Sequence, residues 1–229
     1  MSIRTYFLAI FLPFWGISQN QTWLGAEINL KPVKKTKLTF SAQHRMNGFS
    51  EWNRTFLEGK FSAKVVQGVH VFAGQRFGIS PNRHSSIDLK ATTYLYRTAI
   101  GIELNPVDWF LDKSRFHLGI TEQMQWAQRK FQRSNTVLRS KVSAKYDIKD
   151  FPMTPFIQWE HFYDFQRDIT YTGAEVLIDG GTAAFRAFGG CIIELSKTQE
   201  LQVSVGRRKN FLRENPQWIL SLKYSVNLK

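Results

Sequence analysis

The chain has 229 residues, 43% hydrophobic and 21% charged, which suits one folded domain and excludes a disordered chain. Its net charge is +13, but the Lys and Arg residues are spread along the whole length at strand-like intervals. With no basic helix, Gly-rich phosphate loop or RNA-binding signature, the charge speaks against nucleic acid and for another polyanion, an outer-leaflet lipid phosphate or an anionic solute.

Residues 1–18 carry the pattern of a secretory signal. Arg4 supplies the positive start, Tyr6 to Trp15 form an apolar run too short to span a bilayer, and Gly16-Ile17-Ser18 supply the small residues before a cut. The expected organisation is a signal peptide at 1–18 and one barrel domain at 19–229. No later segment has the run of about 18 apolar residues that a transmembrane helix requires. The mean hydropathy of -0.29 speaks against a helical membrane protein. It leaves a membrane barrel open, because only alternate residues of a barrel strand face lipid.

Period-two alternation dominates after residue 20. Leu24, Ala26, Ile28 and Leu30 oppose Glu27 and Asn29; Leu38, Phe40 and Ala42 oppose Thr39, Ser41, Gln43 and Arg45. Runs follow at Asn53–Ala63 and Gly68–Ile79. Ile87–Leu104 changes parity midway, which predicts a bulge near Tyr94. In Phe116–Gln128 a polar row of His117, Thr121, Gln123 and Gln125 faces an apolar row that Glu122 interrupts. Then come Thr136–Asp147, Pro155–Tyr163, Ala183–Leu195, Glu200–Gly206 and Trp218–Leu228. In the last run apolar Trp218, Leu220, Leu222, Tyr224, Val226 and Leu228 alternate with Ser221, Lys223, Ser225 and Asn227.

The polar rows separate a barrel from a soluble sandwich. Glu27, Glu58, Glu103, Glu160 and Glu194 occur one per strand among Arg45, Arg54, Arg76, Arg97, Arg139 and Arg186. Single buried acids among arginines suit a narrow lumen with a charge network, where each ion needs partners. Connections alternate short (Lys31–Thr36, Lys64–Gln67, Lys149–Pro152, Ser196–Gln199) and long (Asn47–Trp52, Ser80–Ser86, Gln166–Thr182, Arg207–Gln217), as in outer-membrane barrels. The fold expected is an all-β antiparallel transmembrane β-barrel. About eleven runs are visible, whereas bacterial single-chain barrels are even-numbered. Twelve strands are therefore expected, the missing one within Asp168–Leu177, with ten as the alternative.

The sequence resembles the family of exported barrels catalogued as domain of unknown function 2490. The resemblance rests on Thr22-Trp23-Leu24, Gln43-His44-Arg45, Leu138-Arg139-Ser140-Lys141 through Lys145-Tyr146-Asp147, Thr154-Pro155-Phe156 with Glu160-His161-Phe162-Tyr163, and Phe185-Arg186-Ala187-Phe188-Gly189 before Leu195-Ser196-Lys197. It spans nearly the whole mature chain and implies an outer-membrane barrel of unknown activity.

Enzyme signatures are weak. His84-Ser85-Ser86 lies in an expected loop without the Asn-Gly context of barrel phospholipases, and His161 with Asp164 is an available acidic–His pair for a rim protease, falling where a strand becomes a loop. The single cysteine, Cys191, reads as a small hydrophobe, and no metal-ligand spacing or cofactor motif occurs. Arg129, Lys130 and Arg133 in one expected loop, and Arg207, Arg208, Lys209 and Arg213 in another, are candidate contacts to lipid phosphates, including lipopolysaccharide. The expectation is a non-enzymatic outer-membrane barrel whose lumen is largely closed by charged side chains. A narrow pore for small anions is the alternative, and a lipid-modifying enzyme the second. Its partners would be outer-membrane lipid and, during insertion, the barrel-assembly machinery.

Overall fold

The computed structural model describes residues 20–81, 92–110, 114–129, 134–166, 169–171, 174–176, 179–211 and 216–228. The expected signal peptide, the His84-Ser85-Ser86 triplet, Lys130, Arg133 and Arg213 lie outside them. Thirteen strands form among these residues: β1 (Asn20–Leu30), β2 (Thr36–Asn47), β3 (Glu51–Val66), β4 (Val69–Pro81), β5 (Thr92–Leu104), β6 (Phe116–Arg129), β7 (Asn135–Tyr146), β8 (Met153–Gln166), β9 (Ile169–Tyr171), β10 (Ala174–Val176), β11 (Asp179–Ser196), β12 (Gln199–Asn210) and β13 (Gln217–Leu228). A 3-10 turn at Pro106–Trp109 is the only helical element among them.

Eleven of these strands close into one barrel, in the order β1-β13-β12-β11-β8-β7-β6-β5-β4-β3-β2. The antiparallel all-β barrel is thus present, but its wall has eleven strands rather than twelve or ten. Closure around a ring of antiparallel neighbours needs an even number. An odd ring needs one parallel seam, and β1 pairs with β13 in parallel, from Asn20↔Trp218 to Leu30↔Leu228. The segment expected to hold a twelfth strand forms β9 and β10 instead. They pair with each other and stay out of the wall.

A parallel ladder is slightly weaker per residue than an antiparallel one. Inward side chains fasten this seam. Gln21 Nε2 donates to Gln217 Oε1 at 3.3 Å, Asn29 Nδ2 to Asn227 Oδ1 at 2.9 Å, and Lys223 Nζ meets Glu27 Oε2 at 3.3 Å. Thr39 Oγ1 extends the chain to Asn29 Oδ1 at 2.8 Å.

The connections sort by rim. Those at 31–35, 67–68, 147–152 and 197–198 share one rim, where only the 3-10 segment after β5 is long. That segment packs on the β3–β4 turn. Trp109 Nε1 donates to Gln67 O at 2.9 Å and Asn105 N to Gly68 O at 2.7 Å. Gly68 has φ +71°, and a Cβ there would lie 2.4 Å from Trp109 Nε1, so both the turn and the contact require glycine. The opposite rim carries the connections between β4 and β5, β8 and β11, and β12 and β13. It also holds a tight turn over residues 48–50, where a long loop was expected. The bulge expected near Tyr94 is absent: β4 and β5 keep an unbroken register from Pro81↔Thr92 to Val69↔Leu104. Register shifts fall instead at Arg45/Met46, Lys64/Val66, Thr182/Ala184 and Glu194/Ser196.

The distribution of polarity is inverted relative to a soluble protein. Leu57, Ile157, Phe40, Ile100 and Tyr96 are more than half or about half exposed, while Glu160 is 2% exposed. The outward row of β13, Trp218 through Leu228, is the apolar row read from the sequence. Glu122 also faces outward; it accepts a hydrogen bond from Ser140 Oγ at 2.8 Å, its cross-strand neighbour, which partly offsets an acid on an apolar face.

Inside, aromatic rings lie opposite glycines. Phe56 pairs across strands with Gly78, Phe72 with Gly101, Phe156 with Gly190 and Phe188 with Gly206. Gly78, Gly101 and Gly206 let the neighbouring strand's ring lie against their backbone and shield it, while Gly190 gives room to Val203 and Ser204 of β12. A Cβ on Gly101 would meet Glu122 O at 2.4 Å and Phe72 Cζ at 2.5 Å, whereas one on Gly189 meets nothing within 4 Å. Gly101→Ala is expected to destabilise the barrel by about 1–3 kcal/mol, the usual cost of overpacking, with Gly189→Ala close to neutral. The temperature at which the folded band is lost on a semi-native gel measures both.

Candidate functional site

Inward residues of all eleven wall strands line a cavity of about 810 Å³. Its lining holds eleven Lys and Arg residues and four Asp and Glu. Of the lumen charges expected from the sequence, Glu27, Arg45, Arg54, Glu58, Arg76, Arg97, Arg139, Glu160 and Arg186 line it. Glu103 shares the inward parity of Arg97 and interacts electrostatically with Lys37, Lys60 and Lys141, outside the main cavity. Glu194 shares the inward parity of Arg186 and is exposed near the rim of short turns, beside the bulge that ends β11, outside the main cavity.

The acids hold arginines along the wall. Glu58 is opposite Arg76 and takes both its Nε, at 2.6 Å, and its Nη2. Glu160 on β8 binds Arg139 on β7 and, at 2.5 Å, Arg186 on β11, with Gln158 Nε2 adding a bond at 2.7 Å. Each of these ion pairs, and Lys223–Glu27, joins neighbouring strands rather than crossing the lumen.

Aromatic faces hold several of the cations. Arg45 lies 3.9 Å from the Trp23 ring centre and 4.6 Å from that of Phe56, and bonds Gln43 Oε1 through Nε at 2.9 Å and Nη2 at 2.7 Å. Arg76 also approaches Phe56, Arg186 lies 4.4 Å from Phe162, and Lys60 Nζ lies 3.9 Å from Phe72. Such contacts contribute about 0.5–2 kcal/mol each and let guanidinium groups pack without a carboxylate apiece.

The cations form two tiers. Arg45, Arg54 and Arg208 lie within a few residues of the strand ends at the rim opposite the short turns; Arg76, Arg97 and Arg139 lie four or five residues from those ends, and Arg186 shares a register row with Glu160 and Lys141. Lys37, Lys60, Lys141 and Lys223 lie nearer the short-turn rim. The sequence reading placed Lys223 on a polar row but left it, Lys37, Lys60, Lys141 and the ring partners Trp23, Phe56 and Phe162 out of the candidate site. Inward parity alone would have found them.

Arg207, Arg208 and Lys209 are not loop residues. They belong to β12, where three consecutive basic residues conceal the alternation. Arg208 faces the cavity and donates from Nε to Asn210 Oδ1 at 2.8 Å, so it is no lipid contact. Arg207 and Lys209 are exposed on the outer face, Arg207 5.7 Å from the Trp218 ring and Lys209 5.9 Å from that of Phe211. Arg129 closes β6 rather than lying in a loop.

The acidic–His pair dissolves on inspection of parity. His161 points outward, bonded to Thr182 Oγ1 at 3.0 Å and stacked on Phe185, while Asp164 lines the cavity and accepts from Asn135 Nδ2 at 2.7 Å. Among the described residues no group of three His, Cys, Asp or Glu is placed to hold a metal ion. No protein-family model, curated protein or solved structure matches the chain.

Removing the acid at the centre of the Glu160 cluster leaves two guanidinium groups facing each other. Glu160→Ala is expected to cost about 3–5 kcal/mol, the penalty for breaking a buried ion pair from one side. Glu160→Gln should cost less, because it keeps the acceptor oxygen. Thermal loss of the folded band for the two variants provides the comparison, and equal behaviour of Glu160→Ala and wild type would show that the cluster is solvated.

Proposed function

We propose that this chain is a non-enzymatic outer-membrane barrel, exported by its signal peptide, whose basic lumen forms a narrow pore for small anions. The observation that carries the reading is the cavity lining: eleven cationic side chains against four acidic ones, with the described ion pairs running along the wall. A lumen lined by excess Lys and Arg favours anions; the described ion pairs join adjacent strands, while Trp23 of β1 meets Phe188 and Arg186 of β11 across the lumen and narrows it. The reading of a lumen closed by its charges would call for pairs that cross it.

The apolar outer face supports placement in a lipid bilayer, since a wall of exposed Leu, Ile and Phe around a charged interior is stable where lipid, not water, surrounds it. Arg207 and Lys209, outward beside Trp218 and Phe211, are proposed contacts for lipid phosphate such as that of lipopolysaccharide. Insertion would use the barrel-assembly machinery, and membership of the domain of unknown function 2490 family is part of the same proposal.

In planar bilayers the purified protein is expected to give steady conductance steps whose reversal potential in a KCl gradient shows anion preference. Arg76→Gln, which removes one lining charge, should reduce that preference. Cation preference would overturn the anion reading, and no conductance at all would return the lumen to the closed, structural reading. Membrane placement has its own check in Cys191, which lies on the outward row of β11 between Gly189 and Ile193. In membranes it should react with a lipid-soluble maleimide and resist a charged one. Rapid reaction with the charged reagent, together with extraction by carbonate, would place the barrel outside the bilayer.

A further inference from the structure

Three times around the upper lumen, arginine stands directly across from arginine. The opposed pairs are Arg45↔Arg54, Arg76↔Arg97 and Arg186↔Arg208. We infer that these three pairs form a binding site for a compact, multiply charged oxyanion at the level of the lumen farthest from the short turns. The inference rests on the reading that anions enter the lumen, and it adds a bound ligand to what would otherwise be a passage.

Like charges directly opposite on neighbouring strands repel, and the folded wall has to be compensated for them. The protein supplies part of the compensation. Glu58 serves Arg76, and Glu160 serves Arg186 and Arg139. Arg45 is bonded to neutral Gln43 and to ring faces, and the charges acting on it most strongly are Arg186, Arg76, Arg208 and Arg97, all of the same sign. The Nε groups of Arg139 and Arg186 are buried and donate to no atom among the described residues. A buried N–H without an acceptor is costly, and an oxyanion offers acceptors that chloride matches poorly.

The choice of arginine points the same way. A planar guanidinium presents paired donors that match the oxygens of a phosphoryl or carboxylate group, and Trp23 and Phe56 hold Arg45 flat in one orientation. The lysine level below has no opposed pairs of this kind: Lys60 faces Gly74 and Thr39, and Lys141 faces Thr121 and Glu160. A passing anion would meet point charges there and forked donors above.

The test is calorimetric titration of the full chain, purified in non-ionic detergent at about physiological ionic strength, with tripolyphosphate, citrate, orthophosphate and chloride. Tripolyphosphate or citrate is expected to saturate one site per barrel at least about tenfold more tightly than orthophosphate. The preferred one of the two identifies phosphoryl or carboxylate chemistry. Arg45→Gln and Arg208→Gln should each weaken that binding about tenfold or more, Arg45→Lys less, and the exposed-turn variant Lys149→Gln not at all. Each variant is first shown to keep the heat-shifted gel band of a folded barrel. Binding that survives both Arg→Gln changes, or multivalent anions that bind no better than orthophosphate, would overturn the site. Anion-selective conductance without such binding removes this inference and leaves the pore. Tight binding without conductance upholds the site while removing the pore.

Discussion

A closed sheet has one inside and one outside, and closure is the constraint on which everything else in this chain depends. Once the ring is shut, every residue of every wall strand is assigned to a face by parity alone. With eleven strands the ring can shut only if β1 and β13 run the same way. That seam lacks the closely spaced bonds of an antiparallel pair, and its inward polar partners, Gln21 with Gln217, Glu27 with Lys223 and Asn29 with Asn227, tie it from within. The charge network therefore begins as part of the closure itself.

Packing in the lumen follows from the same parity. A small barrel whose inward positions were all large would be filled with side chains. Here the inward glycines at 78, 101, 190 and 206 stand beside the rings of Phe56, Phe72, Phe156 and Phe188. The rings of Phe56, Phe72 and Phe188 cover the backbone of Gly78, Gly101 and Gly206, Phe188 also meets Trp23 across the lumen, and Phe56 offers a face on which guanidinium groups rest. The acids then act locally: Glu58 and Glu160 neutralise their strand neighbours instead of reaching across. The result is a charged lining around a cavity that the Trp23–Phe188 contact narrows.

Much of this was legible in the sequence because alternation is a property of single strands. Residues such as Leu57 against Glu58, or Ile157 against Gln158, declare their faces without reference to any partner. What failed were judgements about pairing. The odd strand count is visible in the sequence, but antiparallel closure would require an even one, and closure is a relation between the first and last strands that no single strand declares. The basic run Arg207-Arg208-Lys209 concealed its parity because both faces of β12 carry cations there, the outer ones beside Trp218 and Phe211. His161 and Asp164 looked like neighbours at a spacing of three, but in a strand an odd spacing puts side chains on opposite faces. The opposed arginines were individually named from the sequence; their opposition exists only in the register.

The separation of arginine from lysine along the lumen has a physical logic of its own. Where like charges crowd, a guanidinium is the better tolerated cation: weakly hydrated, planar, and able to rest on Trp23 or Phe162 while sharing a carboxylate. An ammonium is strongly hydrated and compact, and suits positions such as Lys223, where one acid and a nearby polar chain serve it. Exchanging the two levels would leave lysines facing each other across neighbouring strands with no aromatic face matched to them, and would leave arginines where few rings lie. The two levels therefore differ in kind: the lower one offers point charges, and the upper one offers directional, forked donors.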